Sequence, residues 1–403
     1  MARSGSRRPV SSADVSQRRA RIVVADGSAP RLRAAHRMNV ELIPLPELAP
    51  AVEDAWRELA ARALVPNPFV EADFVLPAAR HLGAAVALLT VRDGEDLRAC
   101  VPVRRVRRWR RVPVPMIVSW HHRYCFLGTP LLDRDAPAAA VDAIIHDLRR
   151  SAGAASLLAL EWVDVGDVLT ELESGVSRAG RAMARLESFS RPLLLRATAD
   201  AHHDTLGDET SKRLARRRRA LVRDHGSART VVVEPDASSV ERFLKIEASG
   251  WKGEQGTALA SRAEDAAFFR EVCERFARSG RLELRSLDLS DGSSIAMSCR
   301  LVAGDGAFCF KVGHDESFRK YAPGNQIEVD TMEELEGSPV PRWVDSCSDP
   351  DNDFFGRLFP ERRTLTTIVL PARRFPGTAL VKALPVARRA WQRVGRRTEK
   401  DSA

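Results

Sequence analysis

The residues best equipped for chemistry fall between Phe308 and Phe359, where FCFKVGHDESFRKYAPGN runs into QIEVDTMEELEG. An apolar, strand-like run ends in the polar trio Gly313-His314-Asp315, and after a turn Pro323-Gly324-Asn325 opens a helix-like segment closed by Gly337. A strand that enters a helix through a glycine-containing turn offers unpaired backbone N–H groups and the positive end of a helix dipole, which suits phosphate or diphosphate. The pattern points to a phosphate-bearing cofactor. Groups able to accept a proton lie close in sequence or just upstream. His314 titrates near neutrality, Asp315 follows the strand, and Glu247 precedes Gly250-Trp251-Lys252-Gly253. A salt bridge or a structural strand-end histidine is the competing account of each.

The chain holds seven Lys and two Tyr, and Lys252, Lys311, Lys320 and Tyr321 all sit in this half. Asp345, Asp349, Asp351 and Asn352 form an acidic loop that lacks the glycine and terminal glutamate of an EF-hand, so loop capping and substrate positioning are expected rather than metal. The six cysteines show no CxxC pair and no zinc spacing, which reads as buried thiols in a reducing compartment.

Alternating elements must position these residues. Strand, helix, hairpin, helix and strand patterns run from Val40 to about Ala197, and a second cycle with the same order runs from Asp208 to Leu370. Two mixed α/β domains in tandem are expected, at 39–200 and 205–370. The net charge of +9 belongs to the ends: residues 1–38 and 371–403 each carry about +7, leaving the body near −5. Residues 1–38 read as a disordered basic tail. In 371–403, Leu380, Leu384, Ala387, Trp391 and Val394 recur at helical spacing among arginines, a pattern for peripheral contact with an anionic membrane, or for a solvated tail interrupted by Pro385. Lys212, Arg213 and Arg216–Arg219 share one helix without interleaved aromatics, which argues against a specific nucleic-acid surface. No apolar run spans a bilayer and no signal peptide is evident, so a cytoplasmic location is expected.

GWKGEQGTAL (250–259), FKVGHDESFRKYAPGN (310–325) and DSCSDPDNDFFGRLFPER (345–362) resemble the cellulose-biosynthesis-associated (CelD-type) acetyltransferase branch of the GNAT superfamily. That branch has tandem GNAT-like domains, as do the Fem-type aminoacyltransferases. The likeness covers about 205–370; over 40–200 it rests on element order and the TPLLD run. It implies an acyl-CoA-dependent N-acyltransferase, with acetyl-CoA or another acyl-CoA as co-substrate and an amino sugar, polysaccharide precursor or amino-acid derivative as acceptor. SFRKYAPGN departs from the usual glycine-rich pyrophosphate run, so only the backbone of Gly324–Ile327 carries over as phosphate contacts, with Arg319 and Lys320 as charge partners and Pro323, Asn325 and Gln326 framing the loop. Tyr321 takes the place of the acid that protonates the thiolate, and Asp315 or Glu247 that of the base. Trp251, Lys252, Lys311, His314, Asp345 and Asp349 are the expected acceptor contacts. The alternatives are a Fem-type, aminoacyl-tRNA-dependent ligase, disfavoured by the missing helical arm, and a non-catalytic accessory protein of polysaccharide biosynthesis.

Overall fold

A computed structural model of the chain describes residues 38–384, apart from 111–112, 197–207, 250–252, 254, 257 and 336–340. The period-two patterns do form strands. LELRSLDL, for example, buries every second residue over most of its length. Helices start where the caps allow: Pro50 opens α1 (Pro50–Ala61) at a position whose N–H has no partner to lose. Asp236 and Ser239 form a capping box at the start of α6 (Ala237–Ala248).

The strands join into one mixed sheet. Four of them, β1 (Asn39–Pro44), β2 (Ala87–Asp93), β3 (Asp96–Val106) and β4 (Met116–Ser119), form an antiparallel meander. A short β5 (Leu131–Leu132) pairs with β3, and helix α3 (Pro137–Ser151) leads to β6 (Leu157–Asp164), which lies parallel to β4. The second half repeats this plan. β8 (Ala228–Val233), β9 (Leu282–Leu289), β10 (Ser294–Ala303) and β11 (Gly306–His314) form the meander, and helix α8 (Pro323–Leu335) leads to β12 (Trp343–Asp345), parallel to β11.

The final strands are exchanged between the halves. β7 (Ala184–Leu195) pairs with β12, while β13 (Glu361–Pro371) crosses back to lie between β6 and β7. The described residues therefore form one compact unit on a continuous sheet rather than two beads on a linker. The remaining helices, α2 (Ala72–Leu82), α4 (Asp167–Arg178), α5 (Asp208–His225), α7 (Ala263–Arg278) and the single-turn α9 (Asp353–Leu358), cover its faces.

The largest apolar cluster joins both halves, with Phe69 and Phe74 packed edge-on against Phe308 and Phe268. Beside it Glu71 is buried, and Arg281 Nη1 lies 2.5 Å from its carboxylate. Burial pushes the Glu71 carboxyl up to about 7 despite Arg281. The unfolded chain ionises this group near 4.5. Its contribution to stability is therefore full below that pH and is lost as pH rises through 7. Denaturant melts at pH 5 and pH 8 should show wild type losing roughly 2–3 kcal/mol that Glu71→Gln retains. Equal losses in both proteins would refute this.

Two expectations about the tails meet the structure differently. Residues 1–37 and 385–403 lie outside the described residues. The start of the C-terminal segment is helical over 377–384, and its apolar side packs on the protein: Val381 and Leu384 are buried with Trp109 and Met116, and Leu380 packs beside them. Helical apolar spacing alone does not distinguish a membrane from a protein surface. Among the described residues, no helix is long and apolar enough to cross a membrane.

Candidate functional site

The site begins where two parallel strands part. β11 pairs with β12 only from Gly306 to Phe308, yet continues to His314. On its other side Arg300 faces Cys309 while Cys299 faces Lys311, so Phe310 is an extra residue in β11. Such a bulge increases local twist and re-aims the residues beyond it. The far half of β11 thus keeps one edge without a strand partner among the described residues. A cavity of about 370 Å³ opens there.

Gly313 brings the opposite wall close. A Cβ at this position would stand 2.8 Å from the Cβ of Glu247, which comes from α6. Glu247 is buried, accepts a hydrogen bond from the Leu259 amide at 2.8 Å, and lines the cavity. On the other wall, His314 Nδ1 would lie 3.4 Å from a Cβ on Gly324. Ala322, in the left-handed region at φ 53°, turns the chain from the 3-10 segment Glu316–Tyr321 into α8. Pro323 has no N–H, and the amides of Asn325 and Gln326 both donate to the Ala322 carbonyl, at 3.0 and 3.1 Å. Gly324 is left as the donor without a backbone partner in this first turn, among the described residues. The phosphate cradle expected over Gly324–Ile327 therefore narrows to one open amide, because the left-handed cap turns its own carbonyl onto the next donors.

The other expected residues divide into groups. Arg319, Gly324 and Asn325 line the cavity with His314 and Glu247. Asp315 instead caps the 3-10 turn, accepting from the Ser317 amide at 2.9 Å and hydroxyl at 2.7 Å. Tyr321 is buried and its hydroxyl donates to Asp224 at 2.7 Å, with His225 at 3.2 Å. Lys320 lies over the Tyr321 ring, 3.8 Å from Asp224. Gln326 accepts from Arg218 at 2.9 Å and donates to the Tyr321 carbonyl at 2.6 Å. These three residues tie α8 to α5 rather than lining the cavity. The hydrogen bond from Tyr321, with Arg223 beside it, holds the Asp224 carboxyl below its usual range.

Lys311 stands over the Tyr124 ring at 4.7 Å. Asp345 is fully buried: Arg191 Nη2 is 2.8 Å and Arg363 Nη1 2.7 Å from its carboxylate, and it accepts from the Cys347 amide at 2.9 Å. Burial raises the Asp345 carboxyl, but Arg191 and Arg363 outweigh it and hold it below the usual range. Asp349 is exposed at the rim of a second cavity. Trp251 and Lys252 lie outside the described residues.

Three lining groups were not read from the sequence as site residues. Glu328 projects from α8 and forms a buried pair with Arg300 at 2.6 Å. Phe354 and Phe355 come from α9, a single turn too short to leave a periodic signal. Its cap, Asn352, accepts from the Phe355 amide at 3.0 Å, and NDFF was the trace available in the sequence.

Residues 209–347 match the family model of an acetyltransferase (GNAT) domain. That segment runs from α5 through β11, α8 and β12 to Cys347, so it holds the parted strands and Gly324. No curated protein matches the chain. Among solved structures, FemX is similar in fold with a TM-score of 0.54 at 10% identity, covering 79% of this chain and 96% of that one. A conserved protein of unknown function from Bacteroides thetaiotaomicron VPI-5482 gives 0.53 at 12% identity, covering 80% and 98%. At these identities the likeness is one of fold, and it extends over both halves of the sheet.

Proposed function

We propose that the protein is an acyl-CoA-dependent N-acyltransferase acting on a polar acceptor, such as an amino sugar, a polysaccharide precursor or an amino-acid derivative. The observation that carries this reading is the meeting of Glu247, His314 and Gly324 at the parted end of β11, inside the segment that matches the acetyltransferase domain. The resemblance to the cellulose-biosynthesis branch favours a saccharide-related acceptor.

The residues present fit a coenzyme A thioester. Beyond Phe308 one edge of β11 has no strand partner among the described residues, and the cavity beside it has room for an extended pantetheine arm. The open amide of Gly324 and the exposed guanidinium of Arg319 suit phosphate oxygens. Three glutamates line the cavity, but Arg300 neutralises Glu328, and Glu316 lies 3.4 Å from His314 and 3.5 Å from Arg319. When bound, the coenzyme supplies an acyl group activated by its bond to sulfur.

Glu247 is assigned as the base that takes the proton shed as the acceptor nitrogen bonds to the acyl carbon. The carbon–sulfur bond breaks in the same transfer, and the departing sulfur takes up one proton, so none is consumed overall. Tyr321 serves this second proton only if its hydroxyl leaves Asp224, and His314, on the cavity wall, is the better placed donor. Direct transfer is favoured over an acyl-enzyme because burial raises the pKa of the Cys309 thiol on the same strand, despite Arg300, which keeps it protonated. Acetyl-CoA should raise the midpoint of thermal unfolding in a concentration-dependent way. No rise at millimolar acetyl-CoA would contradict the proposal.

A further inference from the structure

The second cavity, about 370 Å³ in volume, is joined to the first along the chain: Cys347–Pro350 border it, and the chain then continues into Asn352, Phe354 and Phe355 of the first. Its remaining wall is built by an irregularity in the first half of the sheet. Thr366 of β13 faces Val163 and Ile368 faces Leu160, so Glu161 and Trp162 of β6 together oppose the single residue Thr367. Trp162 takes φ 56°. A tryptophan in the left-handed region inside a strand is a strained conformation that the surroundings must impose.

The surroundings do impose it. Gly128 crosses directly over the bulge: its amide donates to the Trp162 carbonyl at 3.0 Å, and a Cβ there would lie 2.0 Å from the Glu161 carbonyl oxygen. Four non-glycine residues of the described chain have positive φ. Trp162 and Cys347 line this cavity and Ala322 lines the first, so three of the four border the two cavities. Strain held this way collects at sites of function.

The chemistry of the wall limits the ligand. Trp162 meets Phe189 edge-on at 5.0 Å and His121 at 4.0 Å, giving an aromatic surface. The cationic groups at the rim are already engaged, Arg123 with Asp265 and Arg191 with Asp345. Burial lowers His121 to about 4 and His122 to about 3, so both imidazoles are neutral near pH 7. Nε2 of His121 is shielded from solvent and has no hydrogen-bond partner among the described residues. The Asp349 carboxylate, exposed at the mouth, has no side-chain partner among the described residues. Anionic ligands gain nothing from such a wall, and a purely apolar ligand would desolvate the Asp349 carboxylate without giving it a partner.

We infer that this second cavity binds a saccharide unit, with the ring face against Trp162 and Phe189 and the hydroxyls toward His122 and Asp349. Its role as the acceptor subsite rests on the acyltransferase reading; the binding of sugar does not. The test is saturation-transfer NMR and calorimetry on the full chain with cellotetraose and with a β-1,4-linked glucosamine tetramer, and with acetyl-CoA titrated separately. Saturation should pass to the sugar-ring protons of at least one tetramer. Affinity should fall at least tenfold in Trp162→Ala and severalfold in Asp349→Ala, while acetyl-CoA binds both variants as it does wild type. Asp349 is exposed on a loop, so its variant remains informative if Trp162→Ala fails to fold. Failure of both tetramers to bind at millimolar concentration, or equal binding by wild type and Asp349→Ala together with any folded Trp162→Ala, would overturn the inference. Sugar binding without acetyl-CoA binding would refute the acyltransferase reading and leave this one standing.

Discussion

Asp345→Asn is expected to lower the unfolding free energy by about 3–5 kcal/mol, the cost of removing one partner from a buried ion pair. The residue lies at the junction of β12 and β7 and joins strands from both halves: Arg191 comes from β7 and Arg363 from β13. The side chains of Asp345 and Arg191 are 0% and 1% exposed, so water cannot replace the lost charge. Asp164, 3.8 Å from Arg363, is too distant to balance both guanidinium groups. Urea melts followed by circular dichroism measure the effect. A variant within 1 kcal/mol of wild type would show that Asp345 is not the hub the geometry makes it. A variant of full stability with weakened acceptor binding would instead restore it to the acceptor contacts.

Glu247→Gln is expected to lower kcat/KM by roughly 10²–10⁴-fold, the usual worth of a positioned general base. Glutamine preserves the shape and can still accept from the Leu259 amide, so folding and acyl-CoA affinity should change little. The loss should persist as pH rises, because the nitrogen sheds a proton on bonding to the acyl carbon even when the amine is already neutral in solution. Stopped assays of thiol release from pH 6 to pH 10 test this. Activity within threefold of wild type across that range would remove Glu247 from the mechanism.

Much of this site was legible in the sequence because its parts are local. The run from Phe308 to Asn325 encodes a strand, a polar end, a turn and a helix start, and it folds that way. Glu247 was legible only as a carboxylate before a glycine-rich turn; its approach to Gly313 depends on α6 packing across β11. The faces of β11 beyond Phe310 could not be read, because one bulged residue shifts the alternation on which such reading depends. The orientation of Tyr321 toward α5 was hidden because its partners, Asp224 and His225, lie far away in sequence. Asp345 looked like a substrate contact because its partners, Arg191 and Arg363, sit in strands whose exchange no local pattern records. Trp162 stayed hidden as well, since neither its bulge nor the crossing at Gly128 leaves a periodic signal.

Acyl transfer at this site requires the turn at Gly324 to admit a thioester carrier. Isothermal titration of wild type and Gly324→Val with acetyl-CoA examines this directly. A Cβ at Gly324 already sits 3.4 Å from His314, and the two further methyl groups of valine would crowd the open amide. Saturable heat in wild type, weakened at least tenfold in a folded Gly324→Val, is the predicted result; equal affinities in the two proteins would contradict it.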